Sequence, residues 1–154
     1  MVARTGSRSR ARQRRSPRID APWHEIVPGL WQGAGTTTPD GFDIVLTCSR
    51  SAARRHPPRE AAHWQLLFRD GRRVPDGDEI WAWAQRLNAE LNRGRRVLVR
   101  CKAGLNRSGL LVAATLILGG ASPDEAIARV RQRRGPRALN NRHFVRWLRE
   151  SRPQ

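Results

Sequence analysis

Short apolar runs separated by polar segments occupy the first two thirds of the chain, and their lengths predict β-strands. Pro28 and Gly29 break the first apolar stretch into two short strands with a turn between them. We interpret the arginine-rich segment 49–60, which contains two prolines, as a polar connection. Three further runs are predicted strands, at residues 42–48, 64–68 and 97–99, and the first of them has the length of a buried strand.

Helical patterns take over in the second half of the chain. Apolar residues recur on one helical face between a cap at Asp76 or Asp78 and a stop signal at Gly94. Residues 108–120 are apolar on nearly every side, which predicts a helix buried at the centre of the domain.

Two further helices are predicted near the carboxyl end. Ser122 and Glu125 form a capping-box pattern around Pro123, and a last helix begins near Asn140. Strands that give way to alternating strands and helices predict an α/β domain. We expect a central, mostly parallel sheet of four to five strands flanked by helices.

The stretch RCKAGLNRSG, residues 100–109, lies between a predicted strand and the buried helix. Open α/β sheets bind ligands at this edge, where helix N-termini present unpaired N–H groups. Gly104 allows the backbone to turn its amides inward, and Arg107 adds a planar fork that matches phosphoryl oxygens. These groups favour the thiolate form of Cys101, which would make it a nucleophile at neutral pH.

The segment CKAGLNRSG resembles the C-x5-R-[ST]-G phosphate loop of the cysteine-dependent protein tyrosine and dual-specificity phosphatases. The similarity covers about residues 22–150 and implies a compact dual-specificity-like fold. It implies that Cys101 attacks phosphorus to form a cysteinyl-phosphate, that Arg107 binds the phosphoryl oxygens, and that Ser108 helps the thiolate leave. The phosphate-binding loop would comprise Lys102, Ala103, Gly104, Leu105 and Asn106. The resemblance implies no metal and no cofactor.

The same resemblance implies an aspartate general acid on a mobile loop before the cysteine. Asp70 lies 31 residues before Cys101 and is followed by Gly71, a candidate hinge. Asp76 is the alternative, because the sequence VPD is similar to the acid loop of the classical tyrosine phosphatases. We favour Asp70 and interpret Asp76 as a helix cap.

Two positions near the loop leave alternatives open. The family usually has histidine before the nucleophile, where this chain has Arg100, so a catalytically weak phosphate-binding module is the alternative of another class. Similar phosphoinositide phosphatases carry a cysteine at the position of Cys48. Cys48 is therefore a hypothetical redox partner of Cys101, with a simply packed strand cysteine as the other interpretation.

The loop also suggests three substrate classes. The main expectation is a dual-specificity-like protein phosphatase that acts on phosphoproteins. Lys102 after the nucleophile is similar to the loop of phosphoinositide phosphatases. The segment GLNRSG resembles that of RNA 5′-triphosphatases, so an RNA 5′-phosphatase is the runner-up.

Composition adds the limits of the domain and a strong positive charge. The 154 residues suffice for one domain, predicted at residues 21–152, after a disordered arginine-rich tail at residues 1–20. The net charge of +17 indicates either a polyanionic partner, which the tail would contact, or the arginine bias of a GC-rich genome. Two cysteines without a signal peptide or an apolar membrane span favour the reducing cytoplasm.

Overall fold

The computed structural model describes residues 22–153, so the expected tail at residues 1–20 lies outside the described residues. Five strands form one sheet: β1 Trp23–Val27, β2 Leu30–Ala34, β3 Ile44–Thr47, β4 Ala62–Gln65 and β5 Val97–Cys101. The helices are α1 Arg50–Arg55, α2 Gly77–Asn92, α3 Arg107–Leu118, α4 Pro123–Arg134 and α5 Arg142–Glu150.

The sheet has the strand order β1-β2-β5-β3-β4, with β1 antiparallel to β2 and the other neighbours parallel. This confirms the predicted mostly parallel α/β sheet. Because β2, β5, β3 and β4 run in one direction, their carboxyl ends meet at one edge. The segment after the central strand β5 therefore emerges in the middle of that edge, with other connections on both sides.

Alternation along the strands separates two apolar clusters. The larger cluster packs α2, α3, α4 and α5 against one face of the sheet, and most of α3 is inaccessible to solvent, as its apolar sequence predicts. On the other face Trp31, Phe42, Val45 and Leu98 form a smaller cluster. Successive residues of β5 therefore face different surroundings.

The segment interpreted as a polar connection contains a short helix, α1. The Ser49 side chain accepts a hydrogen bond from the Ala52 amide and caps the first turn. Ala52 is buried against Gly35, where a Cβ atom would overlap the Ala52 methyl group. The arginines of α1 conceal this helix in the sequence, because the face that packs is made of alanine alone.

Other boundaries differ by one to three residues from the predicted ones. Strand β4 begins at Ala62 and ends at Gln65, earlier than the run 64–68, and it is a half-exposed edge strand. Asp76 caps α2, the Ser122 capping box is present, and Asn141 caps α5. None of the helices among residues 22–153 has both the length and the apolar character that crossing a membrane requires.

Candidate active site

Cys101 is the last residue of β5 and lies beneath the loop that leads into α3. Its side chain is 2% exposed, and its Sγ donates a hydrogen bond of 3.3 Å to the Ser108 Oγ in the first turn of α3. The sulfur therefore lies at the N-terminus of a helix whose first N–H groups have no intrahelical partner. A negative charge on the sulfur would be stabilised by those N–H groups and by the Ser108 hydroxyl.

The carbonyl groups of the loop are bound from outside. Gln32 Nε2 donates to the Gly104 carbonyl at 3.2 Å and to the Leu105 carbonyl at 3.5 Å. Arg134 Nε donates to the Gly104 carbonyl at 2.9 Å, and Arg134 Nη2 donates to the Ala103 carbonyl at 3.2 Å. In a trans peptide the carbonyl and the following N–H point in opposite directions, so these contacts turn the loop amides away from Gln32 and Arg134.

Gly104 is required by its conformation and by its neighbours. Its φ is +71°, and a Cβ atom there would lie 2.6 Å from the Ala34 nitrogen in the adjacent strand. Gly104 therefore combines a positive φ with a close contact between the loop and β2.

Arg107 is the first residue of α3, and two nitrogens of its side chain, Nη1 and Nε, differ in their hydrogen bonding. Its Nη1 donates to the Phe68 carbonyl at 3.3 Å, which ties the guanidinium to the segment after β4. Its Nε is buried and has no hydrogen-bond acceptor among the described residues. A buried donor of this kind is costly, and an oxyanion in the loop would satisfy it.

Asp70 lies against the loop in a hydrogen-bonded group that includes three asparagines. Its Oδ2 accepts a hydrogen bond of 3.0 Å from Asn106 Nδ2, and its Oδ1 accepts one of 2.7 Å from Asn141 Nδ2. Asn106 Nδ2 also donates to Asn140 Oδ1 at 2.6 Å, and Asn106 Oδ1 accepts from the Asn141 backbone N–H. We call Asn106, Asn140 and Asn141 the asparagine clamp.

Asp76 has a different position and a local partner. Its Oδ1 accepts a hydrogen bond of 3.0 Å from the Asp78 N–H and caps α2. Of the two aspartates proposed from the sequence, Asp70 is the one that contacts the phosphate-loop segment.

The remaining loop residues are divided between the rim and the interior. Lys102 and Ala103 are exposed at the rim. Leu105 is half-buried, and its carbonyl accepts a hydrogen bond of 3.1 Å from the Leu139 N–H. Asn106 is only 7% exposed, so its side chain belongs to the clamp and not to the outer surface.

Arg100 points to the opposite face of the sheet from its neighbour Cys101. It is fully buried and donates to Thr47 Oγ1 at 3.0 Å, to the Thr37 carbonyl at 3.4 Å and to the Ala52 carbonyl at 3.5 Å. Burial lowers the pKa of Arg100 to about 10, which leaves the guanidinium charged at neutral pH. Arg100 therefore joins β5 to β3, to α1 and to the loop after β2, and does not line the phosphate loop.

His63 extends the hydrogen bonds beneath the loop. Its Nε2 lies 2.9 Å from Thr47 Oγ1, the hydroxyl that accepts from Arg100. Burial and then the charge of Arg100 lower the pKa of His63. The face of the sheet beneath the loop thus favours a neutral imidazole.

Cys48 follows β3 and is completely buried. Its N–H donates to the Arg100 carbonyl at 2.8 Å, beside the strand that carries Cys101. Burial, followed by the charge of Cys101, raises the pKa of the Cys48 thiol, while Arg107 opposes that rise. Cys48 is therefore a protonated thiol in the electrostatic environment of the loop.

Sequence reasoning missed Gln32, Arg134 and Asn141 as contacts of the site. Gln32 is the polar residue within an apolar strand, and this was the available signal. Arg134 gave none, because it lies in a run of arginines. Asn141 was detectable as a helix cap but not as a partner of Asp70.

Residues 36–154 match the family of dual specificity phosphatase catalytic domains. The chain belongs to this family. The Dual specificity protein phosphatase 2 of Mus musculus is 34% identical over 127 residues, which are 72% of this chain and 37% of that protein. The Homo sapiens RNA/RNP complex-1-interacting phosphatase is 28% identical over 110 residues, which are 68% of this chain and 33% of that protein.

A solved structure confirms the dual specificity phosphatase fold. A mouse protein described as a putative dual specificity phosphatase complexed with zinc tungstate superposes with a TM-score of 0.76 at 23% identity. The match covers 88% of this chain and 89% of the mouse chain. The curated relatives are longer, since this chain spans less than half the length of the two named above.

Proposed function

We propose that this chain hydrolyses phosphate monoesters of proteins through a phosphocysteine intermediate. The observation that carries the proposal is the arrangement around Cys101. The sulfur lies at the N-terminus of α3 and is hydrogen-bonded to Ser108. The loop above it has its carbonyls bound by Gln32 and Arg134. Arg107 adds a buried donor, Nε, which has no acceptor among the described residues. Such a site fits an oxyanion with three equatorial oxygens next to a sulfur nucleophile.

In the first step the Cys101 thiolate attacks phosphorus, and the bond between phosphorus and the ester oxygen breaks. Asp70 in its acid form gives its proton to the leaving oxygen. Arg107 and the loop amides hold the charge on the equatorial oxygens.

In the second step water attacks the phosphorus of the cysteinyl-phosphate, and the Asp70 carboxylate takes a proton from that water. The bond between phosphorus and sulfur breaks, and inorganic phosphate leaves. The Ser108 hydroxyl donates a hydrogen bond to the departing thiolate, which the 3.3 Å contact with the sulfur supports.

The asparagine clamp supports Asp70 as the general acid. Both oxygens of its carboxyl group are bound by side-chain amides, and Gly71 also accepts a hydrogen bond of 2.9 Å from Asn141 Nδ2. These contacts hold the exposed Asp70 beside the loop without burying it. Catalysis needs such positioning, because a general acid must lie within reach of the leaving oxygen.

Arg100 bears on the alternative of a weak phosphate-binding module. Its side chain leaves the loop for the other face of the sheet, where it binds Thr47 and two carbonyls. The groups proposed for catalysis are therefore assembled without a histidine before the nucleophile, and this favours the enzyme over the binding module.

Two other substrate classes have a specific observation each. An RNA 5′ end is favoured by similarity to the RNA/RNP complex-1-interacting phosphatase. The role of Asn106 in the clamp weakens that case, because a structural contact already accounts for this asparagine. Lys102 is exposed at the rim, where a second phosphate of a phosphoinositide would be bound.

Cys48 is proposed as the redox partner of Cys101. Peroxide would oxidise the Cys101 thiolate to a sulfenic acid, and the Cys48 thiol would then displace water to form a disulfide. Counting free thiols after peroxide treatment tests this step. Loss of both thiols that a reducing agent restores supports it, because a disulfide is reduced back to two thiols, and a Cys48 that stays free while Cys101 oxidises contradicts it. The cytoplasmic location expected from the two cysteines stays a prediction.

Hydrolysis of p-nitrophenyl phosphate tests the proposed activity. The unmodified protein should hydrolyse it in the presence of a chelator, and the Cys101→Ser variant should lose the activity. Trapping a phosphorus–sulfur adduct by rapid acid quench would identify the intermediate. Activity that survives Cys101→Ser, or that disappears with the chelator, would contradict the proposal.

A further inference from the structure

The entrance to the candidate site carries more positive charge than one phosphate requires. Three segments meet there: residues 69–73, 102–107 and 137–142. Hydrogen bonds from Asn106 to Asp70, and from the Leu139 N–H to the Leu105 carbonyl, join them. We call their six exposed cations the basic rim, which comprises Arg69, Arg72, Arg73, Lys102, Arg137 and Arg142.

Carboxylates are almost missing from the same segments. Asp70, the proposed general acid, is the single acidic residue on all three. Two of the ion pairs found within residues 22–153 join Glu90 to Arg93 at 2.8 Å and to Arg95 at 3.9 Å. The third joins Arg149 to Asp124 at 2.8 Å, so none of the three includes a cation of the basic rim.

Ion pairing alone does not set the rim apart, because exposed arginines elsewhere, such as Arg54 and Arg129, also lack a carboxylate partner among the described residues. The rim is distinguished by its place: its six exposed cations lie on the three segments that meet at the loop, with Asp70 as their single carboxylate. A phosphorylated side chain carries about two negative charges, which Arg107 and the loop amides would bind. Negative charges on the substrate beyond the transferred phosphate would therefore meet the basic rim.

The surface around the rim favours a peptide over the other polyanions. The three segments carry no aromatic residue, and every tryptophan and phenylalanine within residues 22–153 is at least partly buried, so the rim offers little aromatic surface on which a base could stack. Leu67, 41% exposed, is the one large exposed hydrophobic residue in that range, which is too little apolar surface for insertion into a lipid interface. Arginine forks match carboxylates bidentately, as acidic side chains would present them.

We infer that the basic rim binds acidic residues that flank the phosphorylated residue of a protein substrate. The inference rests on the proposed phosphatase activity and names the substrate class within it. The rim attracts the peptide and holds its flanks, while Cys101 and Arg107 act on the phosphate. Its main effect is expected on kcat/KM through KM, because the rim does not touch the reacting atoms.

The test compares two phosphopeptides that differ only in their flanks, one with aspartate and glutamate and one with asparagine and glutamine. At low salt the unmodified protein should show a kcat/KM about tenfold higher for the acidic peptide, and high salt should reduce this preference. The rim variant Arg72→Gln/Arg73→Gln/Arg142→Gln should lose most of the preference and keep its activity on p-nitrophenyl phosphate.

A matched control removes three positive charges elsewhere. The variant Arg93→Gln/Arg129→Gln/Arg149→Gln has the same net charge as the rim variant and leaves the rim intact, so its preference for the acidic peptide should persist. An equal loss of preference in both variants would mean that net charge alone attracts the peptide, and it would overturn the inference.

The remaining outcomes separate this inference from the proposed function. Equal kcat/KM for the two peptides, with p-nitrophenyl phosphate still hydrolysed, would overturn the inference alone. Faster, rim-dependent hydrolysis of 5′-triphosphate RNA or of phosphoinositides in phosphatidylcholine vesicles would replace the acidic peptide as the substrate. Failure to hydrolyse any phosphate ester would refute the phosphatase proposal itself.

Discussion

The phosphate loop and the Asp70 segment lie side by side but are held in different ways. The loop is fixed through its backbone: Gln32 and Arg134 bind its carbonyls, and Gly104 packs against β2. The Asp70 segment is exposed and is attached to the loop through the side chains of Asn106 and Asn141. The proposed nucleophile Cys101 therefore lies in a site held by backbone contacts, while the proposed proton donor Asp70 depends on a few side-chain hydrogen bonds. Substitutions in the two regions should differ in their effect on substrates and on stability.

Removing the acid sharpens this comparison most. In Asp70→Asn the kcat/KM for alkyl phosphates should fall about 10²- to 10³-fold, because a poor leaving group needs the proton in the first step. The kcat/KM for an aryl phosphate with an acidic leaving group, which reports the same step, should fall much less. Steady-state kinetics on a leaving-group series checks this. Asp76→Asn is the control, and an equal loss of activity in that variant would favour Asp76, the alternative candidate, as the general acid.

A change in the rigid region should affect every substrate alike. Gly104→Ala places a Cβ atom against the β2 backbone at a positive φ, so the loop must shift. A displacement of about 1 Å lowers activity about a hundredfold, and we expect that loss for alkyl and aryl phosphates together. Gly41→Ala serves as the control, because Gly41 also has a positive φ but has open space around it. Normal activity in Gly104→Ala would contradict the rigid packing of the loop.

Gln32→Leu tests whether the hydrogen bonds from Gln32 to the loop carbonyls contribute to phosphatase activity. The substitution removes one donor to the Gly104 and Leu105 carbonyls, which keep Arg134 and the Leu139 N–H as partners. It also removes the buried Oε1 of Gln32, which lacks a hydrogen bond in the described part of the chain. We expect kcat/KM to fall about tenfold, equivalent to ~1.4 kcal/mol, while the free energy of unfolding stays the same or rises. Denaturant unfolding and phosphatase assays on the same preparation measure both, and parallel losses would refute the separation.

The smallest effect concerns pH and the face of the sheet beneath the loop. Because the pKa of His63 lies below its ordinary value of 6.5 in the folded chain, folding disfavours the protonated imidazole. The stability that depends on neutral His63 is complete above about pH 6.5 and decreases as the pH falls toward the folded pKa. His63→Gln should therefore flatten the decline of the unfolding free energy below pH 6.5. Denaturant titrations of both proteins at several pH values would show an unchanged slope if His63 does not contribute.

Local spacing predicted one part of the site and long-range contacts determined the rest. The order strand, loop and helix was sufficient to bring Cys101, Arg107 and Ser108 together, since eight residues span all three. Gln32 contacts a carbonyl 72 residues away, and Asn141 contacts Asp70 from a separation of 71 residues. No periodicity encodes such pairs, because they depend on how strands and helices pack.

The fold shows the same limit of local patterns. Buried strands and the apolar helix α3 were predicted because their faces are strongly apolar. Helix α1 was missed because Ala52 supplies its packing through a small side chain next to Gly35. Strand β4 was displaced because an edge strand is only half-buried.

The oxygen and the nitrogen of the Asn141 side-chain amide bind different parts of the molecule. Its oxygen accepts from the His143 and Phe144 amides and starts α5, while its nitrogen binds Asp70 and Gly71. Fraying of the first turn of α5 would thus remove one of the two side-chain hydrogen bonds of Asp70, while Asn106 keeps the other. The start of the last helix is in this way coupled to the carboxyl group, whereas the loop above the sulfur keeps its own contacts with Gln32 and Arg134.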